Sequence, residues 1–322
     1  RIIQYSKSKR YYSKNPYSTY SFPHQNITPM SNSKPIFDHL PHTYNPSNRT
    51  VFRLQLPEYA SVVHLAMQTT EALLQNNEIP DYADFLNNRG RRFVLRIRCE
   101  DEKNTFHSFV LKLFSLTRFR QKMRYHTKKF SQTRFGFGEA NALLVAANRN
   151  LPVPNIYGHG LLKNRFGNPT LDMILMEHIH HHQTIGTLLN DARGNEEECK
   201  ALLKRTTPLF VQLFHAGCNN IDMNLGTILL NSDGESKDYL LDFEYSRFHN
   251  EPNLTVLMSE AGFFAHRCQK NAALSADLME WWFADLLTAL HITDPAEKQH
   301  LKQQFNYYAT HKLSRKERMN IQ

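Results

Sequence analysis

No apolar run in this 322-residue chain approaches the ~20 residues of a membrane-spanning helix, so no transmembrane segment is expected. The first residues are basic and aromatic but lack a continuous apolar core, which argues against a secretory signal. Cysteine is scarce. Cys99, Cys199, Cys218 and Cys268 are scattered without a Cys-x-x-Cys pair, a pattern of reduced thiols rather than of a disulfide framework or a zinc site. No repeat period is visible. The run from Leu113 to Gly138 contains no acid at all. What remains is 41% hydrophobic and 21% charged, enough for two lobes around a substantial core. The formal charge of +9 favours an anionic partner.

Residues 1–48 are rich in Ser, Asn, Pro, Tyr and Lys without amphipathic period, and are expected to be disordered or loosely draped. Met30 opens MSNSKPIF, a plausible start of translation. A helical period follows over Val51–Glu78. Phe93 to Arg98 then alternates as a strand, and Phe106 to Phe114 forms a second one interrupted by Lys112. A lone lysine near a strand end commonly snorkels to solvent. The acid-free connection carries Arg118, Arg120, Lys122, Arg124, Lys128, Lys129 and Arg134, interleaved with aromatic residues. On charge alone it suits nucleic acid or an anionic glycolipid equally well, although no recognised nucleic-acid motif accompanies it. Glu139 opens a helix that Leu151-Pro152-Val153-Pro154 stops.

Asn155–Lys163 and Leu171–His178 read as a hairpin ending in the Met-rich strand LDMILMEHI. His178 and His180 to His182 lack the spacing of a tetrahedral metal set. Thr184 can cap a helix through Asn190, and Glu196–Arg205 suggests another. Thr207-Pro208 reads as the start of a third helix, with Gly217 just past its end. Ser275–Ile292 is amphipathic, and a final helix carries Lys302, Lys312, Arg315, Lys316 and Arg318.

The stretch His215–Arg247 organises the whole. Two apolar runs, Ile228–Leu230 and Tyr239–Leu241, flank a polar turn containing Asp233-Gly234, which signals a hairpin. Asp222 precedes the first run and Asp242 follows the second, so folding would bring both carboxylates to one end of the ribbon. Ordinary turn-forming Asp and Asn around a structural hairpin would look the same.

In order, Lys112, Glu139, Asn220-Ile221-Asp222-Met223-Asn224-Leu225-Gly226-Thr227 and Asp242-Phe243-Glu244 resemble the catalytic core of protein-kinase-like enzymes, most of all the lipopolysaccharide kinases that phosphorylate Kdo or heptose. The resemblance spans about Arg92–Arg247. It implies an α+β, two-lobed fold: an antiparallel-sheet N-lobe over 49–178 and a short, mainly helical C-lobe over 179–322. It implies ATP and Mg²⁺ as cofactors. Asp222 would orient or deprotonate the acceptor hydroxyl, with Asn224 near the transferring phosphate. Lys112 and Glu139 would position the phosphates, Met176, Glu177 and Ile179 would meet adenine, and Asp242 with Thr227 would face the metals. The basic connection becomes a glycolipid-binding surface, with the protein cytoplasmic and peripheral on the inner membrane. Three departures stand out. Asn220 replaces the loop histidine, Thr227 replaces the second metal-binding asparagine, and no G-x-G-x-x-G precedes the first strong strand. A soluble small-molecule kinase of the aminoglycoside or choline type, or a pseudokinase scaffold, shares the same features.

Overall fold

The computed structural model describes residues 41–76, 78–89, 92–100, 105–116, 135–232, 237–311 and 313–321. These fall within the unit Lys34–Gln322. Period-two alternation builds an antiparallel sheet from β1 (His42–Ser47), β2 (Thr50–Leu54), β3 (Ala83–Arg89), β4 (Arg92–Glu100), β5 (Phe106–Ser115), β6 (Ile156–Lys163) and β7 (Pro169–Glu177). Their spatial order is β1-β2-β6-β7-β5-β4-β3. In the interior strand β5, Lys112 lies opposite Val94 of β4 and Ile174 of β7.

The alternation of β5 decides which way its lysine points. Phe109, Leu111 and Leu113 join one apolar cluster, covered by α1 (Tyr59–Asn76) through Val62, Val63, Ala66 and Met67. Val110 and Phe114 join the other, with Ala140, Leu143 and Ala146 of α2 (Phe135–Asn148). Lys112 shares the α2 face because it alternates with Val110 and Phe114. Clusters of this size hold the sheet, at ~25 cal/mol for each Å² of apolar surface removed from water.

The second cluster continues into the helices that follow: α3 (Ile185–Asp191), α4 (Glu196–His215), α5 (Leu254–Ala272), α6 (Ala276–Ala289), α7 (Pro295–Thr310) and α8 (Arg315–Met319). Each of the six starts on an Asn, Asp, Ser or Thr whose side chain accepts an orphan backbone N–H of the first turn. A three-stranded sheet, β11-β10-β8, is formed by β8 (His182–Thr184), β10 (Ile228–Asn231) and β11 (Tyr239–Leu240). β9 (Cys218–Asn219) pairs with β12 (Arg247–Phe248). The architecture is α+β, an antiparallel sheet followed by a helical region, consistent with the protein-kinase-like expectation.

Four local expectations are corrected. His42–Ser47, placed in the loose arm, is an edge strand paired to β2. β2 itself lies where a helix was expected from Val51; alternating buried Phe52 and Leu54 suit a sheet, and the helix begins only after Pro57. The two helices expected on either side of Thr207 are one, with Pro208 inside α4. Thr207 does not cap; its hydroxyl donates to Asp285 of α6 at 2.7 Å, so tertiary packing overrides the Pro signal. The single closing helix is two, α7 and α8, and α5 gave no clear signal in the sequence.

Candidate active site

The Lys112 ammonium donates to a carboxylate oxygen of Glu139. Glu139 sits on α2 and is 2% exposed, while Lys112 is 20% exposed. Burial works against the lysine charge, yet Glu139, Asp242 and Glu244 together raise its pKa above the ordinary value. The amine touches Glu139, while Asp242 and Glu244 act on its charge from further off. The β7 residue Asp172 sets the seating of α2: its carboxylate accepts the Phe137 amide at 3.0 Å and pairs with His159 at 2.7 Å, all within the sheet interior. An anion at a helix N-terminus also complements the helix dipole.

The loop after α4 is built by its own side chains. Gly217, with φ 58°, turns the chain out of the helix where an added Cβ would meet the His249 carbonyl at 2.6 Å. Arg149, just past α2, donates to the carbonyls of Ala216 and His249 at 2.6 and 2.5 Å, tying that helix to the loop entrance. Asn220 is fully buried. Its amide donates to Glu260 of α5, and its side-chain oxygen accepts from the Asp222 amide at 3.3 Å. Burial drives the Glu260 pKa well up, and the Asn220 amide partly offsets it. Asn220 thus holds the loop by local hydrogen bonding, as Asx residues do in turns.

Thr227 lies inside the loop. It is 2% exposed, donates to the Asn224 carbonyl at 2.7 Å and accepts from the Asn224 amide at 2.9 Å. Its hydroxyl is turned into the loop. The Asn224 side chain is similarly engaged, accepting from Gly226 at 2.8 Å and donating to the Asp222 carbonyl at 2.6 Å. Thr227→Val should therefore lower stability by ~1 kcal/mol, since it leaves the half-buried Asn224 amide without its hydroxyl partner. Urea unfolding measures this, and an unchanged midpoint would remove the hydroxyl from the loop's support.

Asp242 follows β11 after one residue, Leu241. The Leu241 amide donates to the Thr227 carbonyl at 2.7 Å, which ties the loop to the end of the hairpin. The Asp233-Gly234 turn lies outside the described residues, but the paired register, Ile228 with Leu240 and Leu229 with Tyr239, is that of the expected hairpin. Asp242 adopts φ 61°, a left-handed conformation that non-glycine residues hold only where the surroundings impose it. Beside it Glu244, 2% exposed, pairs with Arg92 of β4 at 2.8 Å. Burial raises the Glu244 pKa and Arg92 pulls it back. Nothing in the sequence pointed to this pair, which joins residues 152 positions apart.

Asp222, by contrast, faces the C-terminal helix. Arg315 holds it side-on, Nη2 to Oδ2 at 2.7 Å and Nε to Oδ1 at 3.2 Å, and Arg318 approaches Oδ1 at 3.6 Å. In sequence these arginines read only as part of a basic helix. Met176 is buried in β7 opposite Val110 and Ile156, while the Glu177 amide donates to the Asn155 carbonyl at 2.9 Å; Ile179 follows, half-buried. His178 and His180 converge on the Ser108 hydroxyl at 3.1 and 3.0 Å. Burial, helped by His180, lowers the His178 pKa to about 4, so it is neutral near pH 7. The basic connection from Arg118 to Arg134 lies outside the described residues.

Residues 91–254, just over half of the chain and including Lys112, Glu139, Asp222 and Asp242, match the lipopolysaccharide kinase (Kdo/WaaP) family. The chain belongs to this family. Its members are kinase-like proteins acting on lipopolysaccharide sugars. Among solved structures, one titled "WaaP in complex with acyl carrier protein" is similar at 11% identity and a TM-score of 0.44, over 74% of this chain and 96% of that one. No curated protein matches. For this lipopolysaccharide-kinase family member, no helix among the described residues is long and apolar enough to cross a membrane.

Proposed function

We propose that the protein transfers the γ-phosphate of ATP to a hydroxyl of a lipopolysaccharide inner-core sugar, Kdo or heptose. The observation that carries this reading is the buried Lys112–Glu139 pair with Asp242 and Glu244 close enough to bias the lysine charge. In the proposed two lobes, 49–178 and 179–322, Lys112 binds phosphate oxygens and Glu139 keeps its amine aimed. Met176, Glu177 and Ile179 border the adenine. Asp242 would hold Mg²⁺, which neutralises charge on the phosphates. Among the described residues no group of three His, Cys, Asp or Glu side chains is placed to hold a metal alone. One carboxylate with phosphates and waters is nevertheless an ordinary Mg²⁺ set, so the residues fit.

Asp222 accepts the proton of the sugar hydroxyl as its oxygen bonds to phosphorus and the bond to the ADP oxygen breaks. Asn224 keeps the loop carbonyls in place around it. The acid-free connection, from Arg118 through Arg120, Lys122, Arg124, Lys128 and Lys129 to Arg134, attracts the anionic glycolipid at the cytoplasmic face of the inner membrane. Radiolabelled phosphate transfer from ATP to purified inner-core lipopolysaccharide tests the reading, with the label expected on the sugar and dependent on magnesium. Transfer to aminoglycosides or choline instead would make the protein a soluble small-molecule kinase. Absence of transfer to any acceptor, with ATP still bound, would make it a pseudokinase.

A further inference from the structure

Four guanidinium groups gather where the C-terminal helix meets the Asp222 loop. Arg315 lies over the Tyr245 ring at 4.0 Å and forks onto Asp222. Arg318 and Arg267 share the Phe263 ring, at 3.8 and 4.9 Å from its centroid. Arg247 donates to the Met319 carbonyl at 2.7 Å and so pins α8 in place. Among the described residues Asp222 is the one carboxylate in ion-pair reach of Arg315 and Arg318, and no ion pair is formed by Arg267 or Arg247. The other nearby acids are engaged elsewhere: Glu317 caps its own helix through Ser314, Glu260 takes the Asn220 amide, and Glu244 pairs with Arg92.

The imbalance is most acute at Arg318. Its side chain is 11% exposed, and its Nε and Nη1 are buried without a hydrogen-bond partner. The Nε atoms of Arg267 and Arg247 are buried in the same condition. A buried guanidinium N–H left unpaired is costly, and the fork of an arginine matches a carboxylate or phosphate in two parallel bonds. Burial lowers the Arg318 pKa, as does the repulsion from Arg315 and Arg267 against the pull of Asp222.

We propose that Arg315, Arg318 and Arg267 form an oxyanion subsite for the acceptor, recognising a carboxylate or an existing phosphate on the sugar whose hydroxyl Asp222 serves. This rests on the kinase reading above and names its substrate class as an acidic sugar. Without such an acceptor, Arg315 occupies both oxygens of Asp222. When the acceptor's anion takes the arginine fork, an Asp222 oxygen is released to accept the hydroxyl proton. Water and neutral sugars bring no anion, so they meet an Asp222 still held. The same contact therefore selects the acceptor and restrains idle ATP hydrolysis.

The test begins with inorganic phosphate titrated calorimetrically into the full chain. R315Q/R318Q is expected to weaken phosphate binding at least ~10-fold, the loss of a charge-assisted hydrogen bond. K112Q should leave this binding in place, and R315K/R318K should restore part of it. R315Q alone, at a half-exposed position, gives a second reading should the double variant not fold. Wild type that fails to bind phosphate, or R315Q/R318Q that binds it equally well, overturns the subsite.

Two acceptor arms then separate the sources of the anion: inner core with its carboxyl groups reduced, and inner core dephosphorylated. One of them should raise the wild-type KM at least ~10-fold, with no further rise in R315Q/R318Q, whose ATP hydrolysis should increase. Equal preference for charged acceptor in wild type and R315Q/R318Q also overturns the proposal. If phosphate binding maps to the arginines but no sugar is phosphorylated, the kinase reading fails and the anion site stands.

Discussion

Asp242→Asn is expected to lower phosphotransfer at least ~10²-fold and to abolish magnesium-dependent protection of the fold by ATP. Asp222→Asn should stop transfer and spare that protection. The two carboxylates end one hairpin assembly but have different neighbours. Asp242 acts on the Lys112 charge, and Asp222 lies against Arg315. Asparagine tolerates the left-handed conformation that Asp242 adopts, so the substitution removes charge while leaving the backbone as it is. Thermal unfolding with and without MgATP separates binding from transfer. Undiminished activity in both variants would end the kinase reading.

Lys112→Met should destabilise the fold by ~3–5 kcal/mol, because it strands the Glu139 charge in the interior. Glu139 is 2% exposed, on the face of α2 turned to the sheet, and Lys112 is the one cation paired with it among the described residues. Lys112→Met combined with Glu139→Leu should recover most of that loss while remaining inactive, since removing both charges leaves neither unpaired. Denaturant unfolding of the three proteins closes the cycle. A single variant as stable as wild type would show that Glu139 is already neutral or solvated. A double variant no better than the single one would place the loss in packing rather than in charge.

The order of chemically marked residues along the chain was legible before any tertiary information: a strand lysine, an acid-free connection, a helical glutamate, and a hairpin bracketed by two aspartates; the helix itself starts at Phe135, four residues before the glutamate expected to open it. Alternation placed β4, and short apolar runs with turn signals placed β5 through β7 and β10 with β11, because burial leaves a local trace in sequence. The cap at Thr184 and the amphipathic period from Ser275 were equally local. Alternation also carries β1 and β2, but a short edge strand of polar residues such as His42–Ser47 leaves little to distinguish it from coil. Pro208 misled because a proline's local preference for a first turn is weaker than the packing of α4 against α6.

Only the tertiary structure decided which charges face one another. Arg315 reaches Asp222 across 93 positions, and Arg92 reaches Glu244 across 152. A basic terminal helix and a strand arginine each look, in sequence, like solvated charge. The bonds of Thr227 are likewise a product of the fold: its hydroxyl donates to the Asn224 carbonyl and accepts from the Asn224 amide, a closure of the loop that residue type alone does not announce. Sequence determines which groups are present and their local conformational preference. Which of them are desolvated, and hence which must find a partner, is settled by the folded packing that removes water from them.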